Sequence, residues 1–258
     1  MDNAATSKSF IPQTDGQALD FIKICAAVFM VIDHINTSLL GSTQPAMFLL
    51  GRAVFPLFCY ALAMNLFRVG PEKMPRYAIR RIAPRLLILA VITEPIAQLS
   101  RDIGPMGNVL FTLGFGALVA GLTCRLKDWH IAALCLLSLL PLYFMPLIEF
   151  STAGVMLPAA FLLVLRGRKI GYACVFMLLA CINLPVIGNI TEAVTSQDIM
   201  GITLTAAATI ITPIALIRYA ASQPQTGRYL PKYFLHVFYP LHLAIIGIVH
   251  YWITTAGN

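Results

Sequence analysis

The chain has 258 residues, of which 59% are hydrophobic and only 11% are charged, against roughly 25% charged residues in an ordinary soluble protein. This composition excludes a typical water-soluble enzyme or binding domain and predicts an integral membrane protein. The formal net charge of +7 would suggest a nucleic-acid partner in a soluble chain, but the positions of the charges indicate membrane topology instead.

Apolar stretches of about 17–22 residues recur along the chain, long enough to cross a hydrocarbon core of roughly 30 Å at about 1.5 Å per residue of helix. The pattern predicts an all-α fold, a polytopic membrane helix bundle of about nine transmembrane helices. The stretch at 151–165 is short and directly follows its predecessor, so the helix count is open by one. The predicted spans are 18–39, 46–67, 83–100, 108–124, 130–148, 151–165, 170–187, 199–218 and 233–254.

One membrane domain is expected over residues 18–254, between a cytoplasmic N-terminal tail at 1–17 and a short C-terminal tail at 255–258. Polar residues lead directly into the first full-length apolar stretch, so we expect no cleavable signal peptide. The connections between spans are too short for a soluble domain. The cysteines lie in or beside apolar spans without a CxxC pair or a histidine at ligand spacing, so we interpret them as buried apolar residues and expect no metal.

Basic residues concentrate in alternate connections between the predicted spans. In membrane proteins Lys and Arg collect in cytoplasmic loops. With a cytoplasmic N-terminus and a periplasmic C-terminus, the outer loops hold Arg101 alone, beside Asp102, which predicts this orientation. The inner segments then hold the fifteen basic residues Lys8, Arg68, Lys73, Arg76, Arg80, Arg81, Arg85, Arg125, Lys127, Arg166, Arg168, Lys169, Arg218, Arg228 and Lys232.

Ionisable side chains inside the first span are functional candidates, because such groups are costly in a membrane and usually face the interior of a bundle. Lys23 and His34 are eleven residues apart, which places them on one helix face about 16 Å apart along the axis. Lys23 then lies near the cytoplasmic mouth, and His34 in the outer half beside Asp33 and Asn36. The alternative is that Asp20 and Lys23 form an ion pair at the interface and His34 is a packed polar residue.

Three further spans carry candidates. Arg52, in the second span, either faces Asp33 or extends to the outer interface. Glu94, in the third span, lies at comparable depth, and Tyr239 and His242, in the last span, lie nearer the middle of the membrane. We expect these acids, bases and hydroxyl groups to converge on one cavity.

A dense basic cluster of Arg80, Arg81 and Arg85 lies at the cytoplasmic start of the third span. The planar guanidinium group with its several donors suits phosphate recognition. The cluster therefore predicts a phosphate-bearing ligand; topology determination or binding of anionic lipid is the alternative.

Three blocks of sequence are distinctive: IDHIN at 32–36, FLLGRAVFPLF at 48–58 and FYPLHL at 238–243. With them the chain resembles the TraX family of conjugative pilin acetylases, over about residues 18–250. It is more distantly similar to the acyltransferase-3 superfamily of membrane acyltransferases, through the spacing of Lys23 and His34 and the turn Arg81-Ile82-Ala83-Pro84. Lys in place of the more common Arg at position 23, and nine rather than ten helices, depart from that superfamily.

The resemblance implies an acyl-CoA donor, usually acetyl-CoA, and a pilin subunit in the bacterial inner membrane as acceptor, through its N-terminal amine. Membrane lipids surround such a protein, and no nucleic-acid partner is expected. The resemblance makes His34 the helix-one histidine and Lys23 its basic partner. The CoA phosphates would bind Lys23, Arg80, Arg81 and Arg85.

The expected chemistry is transfer of the acyl group to the amine. His34, whose unperturbed pKa is about 6.5, would accept the proton of the attacking amine, with Asp33 or Glu94 orienting the imidazole. A covalent acyl-histidine intermediate is equally compatible. Hydrogen bonds to the oxyanion would come from Arg52, Tyr239 or Asn36.

Two other classes of function compete with this one. A proton-coupled transporter also needs intramembrane ionisable groups, but the sequence shows neither the inverted repeats nor the paired broken helices typical of transporters. A non-catalytic scaffold for pilus assembly leaves the basic cluster opposite a buried histidine unexplained.

Overall fold

The computed structural model describes residues 9–14, 16–99, 107–140, 148–183, 196–223 and 227–256, with the backbone alone at 196–199 and 256. Within these ranges all the regular secondary structure is helical, which confirms the all-α class. The helices are α1 (Gly16–Ser38), α2 (Pro45–Gly51), α3 (Val54–Phe67), α4 (Met74–Tyr77), a π-helical turn (Ala78–Ile82), α5 (Ala83–Leu99), α6 (Val109–Thr123), α7 (Asp128–Leu137), α8 (Ser151–Leu165), α9 (Lys169–Cys181), α10 (Ser196–Ser222) and α11 (Phe234–Ala256).

Some of the predictions fall outside the described residues. They concern Lys8 and most of the N-terminal tail, the loop that contains Arg101 and Asp102, the last residues of the spans predicted at 130–148 and 170–187, and residues 257 and 258.

Four helical units are long and apolar enough to cross a membrane, namely Pro45–Phe67, Met74–Leu99, Met200–Ser222 and Phe234–Thr255. They identify the chain as a membrane protein. The five other predicted spans are also helical where they are described, but α6, α7, α8 and α9 have only 10 to 15 residues and α1 contains three charged residues. The crossing of the membrane by all nine spans and the orientation of the termini remain predictions.

Helix α8 forms the centre of the bundle. Its side chains are buried nearly throughout, and it packs against α3, α6, α7 and α9. Leu157, Phe161 and Leu163 are among the most deeply buried side chains of the described residues. A helix that is apolar on every face is typical of such a central position.

The helices that carry the candidate residues are neighbours. Helix α1 packs against α2, α3, α10 and α11, and α11 also packs against α5. Helix α6 approaches the π-helical turn at Gly121, where an added Cβ would lie 2.5 Å from the Cβ of Ala78. Small residues at such contacts allow membrane helices to pack closely.

Candidate active site

His34 on α1 and His242 on α11 form a histidine pair in the interior. Nδ1 of His34 lies 3.0 Å from Nε2 of His242, and the ring planes differ by 7° with centroids 5.1 Å apart. His242 is 6% exposed. The two residues are 208 positions apart in the sequence, so only the packing of α11 against α1 brings them together.

The hydrogen bonds of this histidine pair determine its tautomers. Nδ1 of His242 lies 3.0 Å from the carbonyl oxygen of Phe238. A carbonyl oxygen only accepts, so this Nδ1 carries the hydrogen, and Nε2 of neutral His242 then accepts from Nδ1–H of His34. The nitrogen with the lone pair in neutral His34 is therefore Nε2, which makes His34 the base of the pair.

Arg52 pairs with Asp33 inside the bundle. Nη2 of Arg52 donates to both carboxylate oxygens, at 3.2 and 3.3 Å, and these side chains are 13% and 18% exposed. Nε of Arg52 donates to the carbonyl oxygen of Phe48, and the guanidinium lies 4.3 Å from the centroid of the Phe48 ring. The geometry agrees with the prediction that Arg52 faces Asp33, rather than with extension to the outer interface.

Two buried polar residues that the sequence analysis missed extend this ion pair. Nη1 of Arg52 donates to Oδ1 of Asn183 at 3.3 Å, and Nδ2 of Asn183 donates to Thr209 Oγ1 at 2.7 Å. Asn183 follows α9 and Thr209 lies on α10. An Asn inside the span predicted at 170–187 was a detectable signal for Asn183, but a threonine within a span gives none.

Gly51 makes room for the carboxylate of Asp33. A Cβ at position 51 would lie 2.1 Å from Oδ1 of Asp33 and 2.3 Å from its Cγ, which is far inside van der Waals contact. Only glycine permits this approach of α2 to α1, and the approach brings Arg52 to Asp33.

Two of the predicted catalytic residues form contacts of another kind. Nδ2 of Asn36 donates to the carbonyl oxygen of Gln44, and the backbone N–H of Gln44 donates back to Oδ1 of Asn36. The carboxylate of Glu94 accepts from the backbone and side chain of Asn108, at 2.9 and 2.8 Å, and from Gln98. Asn36 thus stabilises the connection between α1 and α2, and Glu94 stabilises the start of α6. The catalytic roles of both residues remain predictions.

A cavity of about 290 Å³ lies among α1, α3, α4, the π-helical turn, α5, α6, α11 and the segment before α11; we call it the basic cavity. The predicted residues Lys23, Arg81, Arg85 and Tyr239 line it. Arg80 is exposed and lies outside the lining. Residues four apart share a helix face whereas consecutive residues do not, so Arg81 and Arg85 face the cavity together. The role predicted for Arg80 remains a prediction.

Three further basic residues line the basic cavity and were not among the predicted site residues. They are Arg228, Lys232 and His236. No acidic side chain is found among the lining residues in the described part of the chain. The sequence analysis had assigned Arg228 and Lys232 to topology alone, because only the fold places residue 228 beside residue 23.

Asp20 joins α1 to the segment before α11. Its carboxylate is fully buried and accepts from Nζ of Lys23 at 3.0 Å and from the backbone N–H groups of Tyr229 and Leu230, at 3.2 and 3.1 Å. Nε of Arg228 lies 3.5 Å from the same carboxylate. The ion pair of Asp20 and Lys23 is confirmed, but both partners lie in the interior. Burial and the Asp20 charge raise the pKa of the Tyr229 hydroxyl, so Tyr229 adds no negative charge here.

The basic cavity ends short of the histidine pair, because neither His34 nor His242 is among its lining residues. Met30 and Tyr239 line the cavity, and His34 follows Met30 by four residues, about 6 Å farther along α1. The ring centroids of Tyr239 and His242 are 5.5 Å apart. Lys23 and His34 thus lie about 16 Å apart along one helix, with the cavity over most of that length.

A second depression adjoins the basic cavity between α5 and α11. Ile88, Ile92 and Tyr233 border it. Arg85, Leu89 and His236 line both spaces; we call these three residues the shared wall.

The family model described as TraX protein matches residues 18–250, a range that contains every candidate residue named above. This chain belongs to the TraX family. The Protein TraX of Escherichia coli is 31% identical over 244 residues, covering 94% of this chain and 90% of that protein. The Protein TraX of Escherichia coli strain K12 is 28% identical over 250 residues, with the same two coverages.

No solved structure matches this TraX-family chain. The TraX resemblance inferred from the three sequence blocks is confirmed by the family match. The more distant resemblance to the acyltransferase-3 superfamily remains a prediction.

Proposed function

We propose that this TraX-family protein is a membrane-embedded acyltransferase of the bacterial inner membrane, with residues 18–254 as its single domain. It moves an acetyl or other acyl group from cytoplasmic acyl-CoA to the N-terminal amine of a conjugative pilin subunit at the outer face. The observation that supports this proposal is the basic cavity, which has cationic side chains and is also lined by Tyr239, the aromatic neighbour of His242.

The lining of the basic cavity suits acyl-CoA as a substrate. Lys23, Arg81 and Arg85 offer charge-assisted hydrogen bonds to phosphate, and the remaining wall is mostly apolar. A volume of about 290 Å³ is at the lower limit of ligand pockets, roughly 300–1,000 Å³. The pantetheine arm with its thioester therefore enters the cavity, while the nucleotide stays at the exposed arginines.

In the proposed reaction the amine nitrogen attacks the carbonyl carbon of the thioester. Nε2 of His34 accepts the proton that the amine loses, and Nε2 of His242 stabilises the imidazolium through the hydrogen bond from Nδ1–H. The carbon–sulfur bond then breaks, and the leaving thiolate takes the proton back from His34. The products are an amide and CoA.

Arg52 and Tyr239 are the oxyanion donors that we retain in the proposed reaction. Arg52 is held by Asp33 and Asn183, and Tyr239 lies between the basic cavity and His242. A donor that is already oriented in a water-poor site is worth roughly 3–4 kcal/mol in the transition state. In the equally compatible route, Nε2 of His34 attacks the thioester first and the acyl-histidine then reacts with the amine.

Transfer of label tests the proposal. The purified protein in detergent is incubated with acetyl-CoA labelled in the acetyl group and with a pilin peptide that has a free N-terminus. We expect labelled peptide from the wild type and from His130→Ala, a histidine substitution on α7, and a loss of about 10²-fold or more for His34→Ala.

A peptide with a blocked N-terminus serves as the control for the acceptor and should stay unlabelled. Absence of label from the free peptide, with protein that elutes as a folded species, would contradict the proposal. Proton flux into proteoliposomes without acetyl-CoA would instead favour a transporter.

A further inference from the structure

We propose that Arg228 and Lys232 form the second half of a phosphate-binding site whose first half is Arg81 and Arg85. The group that this site recognises is the adenosine 3′,5′-bisphosphate end of the donor. The inference rests on the proposed function and specifies which part of the donor the basic cavity selects. It also assigns Asp20 as a positioning residue for this half.

The charges around the basic cavity come from separate parts of the chain. Arg81 and Arg85 come from the π-helical turn and the first turn of α5, Lys23 comes from α1, and Arg228 and Lys232 come from the segment before α11. Basic residues that only determine topology have no reason to line one cavity. One carboxylate just outside the lining, Asp20, pairs with Lys23 and Arg228. The remaining excess of positive charge at the cavity fits a ligand with several negative charges.

Arg81 and Arg85, the first half of the site, both come from one wall of the basic cavity, the π-helical turn and the first turn of α5. A 3′-phosphate and a 5′-diphosphate lie on different sides of one ribose, so a compact cluster on α5 reaches only part of this charge. Arg228 and Lys232 line the same cavity from the segment before α11. Two separate pairs of cations match a ligand with two separate phosphate groups.

Asp20 fixes the backbone of this segment. It accepts from the N–H groups of Tyr229 and Leu230 and pairs with Nε of Arg228 at 3.5 Å. The Arg228 side chain, 48% exposed, is thereby held at the cavity that it lines. A buried carboxylate with these partners costs desolvation free energy, which is consistent with a function beyond packing.

A lipid headgroup offers the same phosphate chemistry, so the test separates the two sources. The purified full-length protein in a neutral detergent is titrated calorimetrically with adenosine 3′,5′-bisphosphate, with pantetheine, and in parallel with phosphatidylglycerol. The variants are Arg228→Gln and Lys232→Gln, both at exposed positions. Arg168→Gln is the matched control, because that arginine is exposed and pairs with Asp128 away from the cavity.

We expect the Kd for adenosine 3′,5′-bisphosphate to rise about tenfold in each of the two variants and to stay unchanged in Arg168→Gln. Pantetheine should bind the wild type and both variants equally, since it lacks the bisphosphate. Equal bisphosphate binding by all proteins, with acetyl transfer intact in the wild type, would overturn this inference and leave the proposed function standing.

The inference would also be overturned, in favour of a lipid site, if Arg228→Gln weakened the binding of phosphatidylglycerol but not that of adenosine 3′,5′-bisphosphate. The role of Asp20 is tested by kinetics with Asp20→Asn, after thermal unfolding has verified that the variant is folded. A positioning role predicts a higher KM for acetyl-CoA with the KM for the peptide unchanged. A similar loss in both KM values would contradict it.

Discussion

The carbonyl oxygen of Phe238 accepts a hydrogen bond from Nδ1 of His242, and this contact gives the two histidines different roles. His242 has its Nε2 directed to His34 and its Nδ1 engaged by the backbone. It therefore acts as a positioning residue that holds the tautomer of His34. The base in the proposed transfer is His34 alone.

Substitution of His242 should lower the rate without weakening binding of the donor. In His242→Phe an aromatic ring still fills the space, but the acceptor for Nδ1–H of His34 is lost. We therefore expect kcat to fall about 10²-fold, with the KM for acetyl-CoA nearly unchanged. The control is His250→Phe, because His250 donates from α11 to the carbonyl oxygen of Ser38 on α1. It removes a contact between the same helices, and an equal loss of kcat in both variants would contradict the tautomer argument.

The ion pair of Asp33 and Arg52 allows stability and activity to be separated. Arg52→Leu leaves a mostly buried carboxylate without its partner, and we expect the unfolding temperature in detergent to fall. Removal of one partner of a buried pair costs about 3–5 kcal/mol, whereas an apolar replacement of both is often neutral. The double variant Arg52→Leu with Asp33→Leu should therefore recover most of the stability but no transfer activity. Recovery of both would exclude a catalytic role for the pair.

The sequence predicted one contact of the site correctly, that of Asp33 with Arg52. It placed Asp33 and Arg52 at one level, and their side chains meet. It also placed Glu94 at comparable depth, yet that carboxylate binds Asn108 at the start of α6. Hydropathy determines the height of a residue in the bilayer, but which neighbour its helix face meets depends on packing, which no single sequence pattern contains.

Two irregularities in the helices contain residues of the candidate site, Arg52 and Arg81. The chain is interrupted between α2 and α3 at Arg52 and Ala53, and a π-helical turn comes before α5. Such turns are frequent at functional sites. Hydropathy predicted one continuous span over 46–67 and could not predict the break at Arg52, because the sequence is apolar on both sides of it. The π-helical turn lies just before the span predicted from residue 83, and hydropathy gave no signal for it either.

The contact between α1 and α2 depends on the absence of a side chain at position 51. In Gly51→Ala the new Cβ overlaps with Asp33, and overpacking of this kind costs about 1–3 kcal/mol. We expect a lower unfolding temperature and a weaker transfer activity. Gly201→Ala on α10 is the matched control, since no atom lies within 4 Å of an added Cβ there. Equal unfolding temperatures for the two variants would show that α2 moves away without cost.

The orientation of the whole molecule decides which end of the basic cavity meets the donor. We predict that alkaline phosphatase fused after residue 256 is active, because the predicted orientation places the C-terminus in the periplasm, and that the same reporter fused after Leu126 is inactive. A fluorescent protein that matures only in the cytoplasm should give the reverse pattern. Activity of the phosphatase fused after Leu126 would instead place Lys23 and Arg81 at the outer face and contradict a cytoplasmic donor.

The helical character of all nine predicted spans followed from hydropathy alone, where these spans are described. Hydropathy alone does not establish that these spans cross the membrane, because a helix that faces lipid and a helix that is surrounded by protein have equally apolar sequences. Helix α8, with 15 residues, is almost entirely enclosed by other helices. Only the packed structure separates these two cases.

Hydrogen bonds connect α1 to α11, or to the segment just before it, at three positions along their length. Asp20 binds the backbone just before α11, the histidine pair joins the middle, and Ser38 accepts from His250 at the far end. Three contacts along one seam oppose sliding of α11 along α1 more strongly than rotation about the seam. Such a rotation would widen the opposite side, toward α5, where the shared wall borders both the basic cavity and the second depression. We expect a substrate too large for the basic cavity to enter from that side, with the hydrogen bonds of the histidine pair intact.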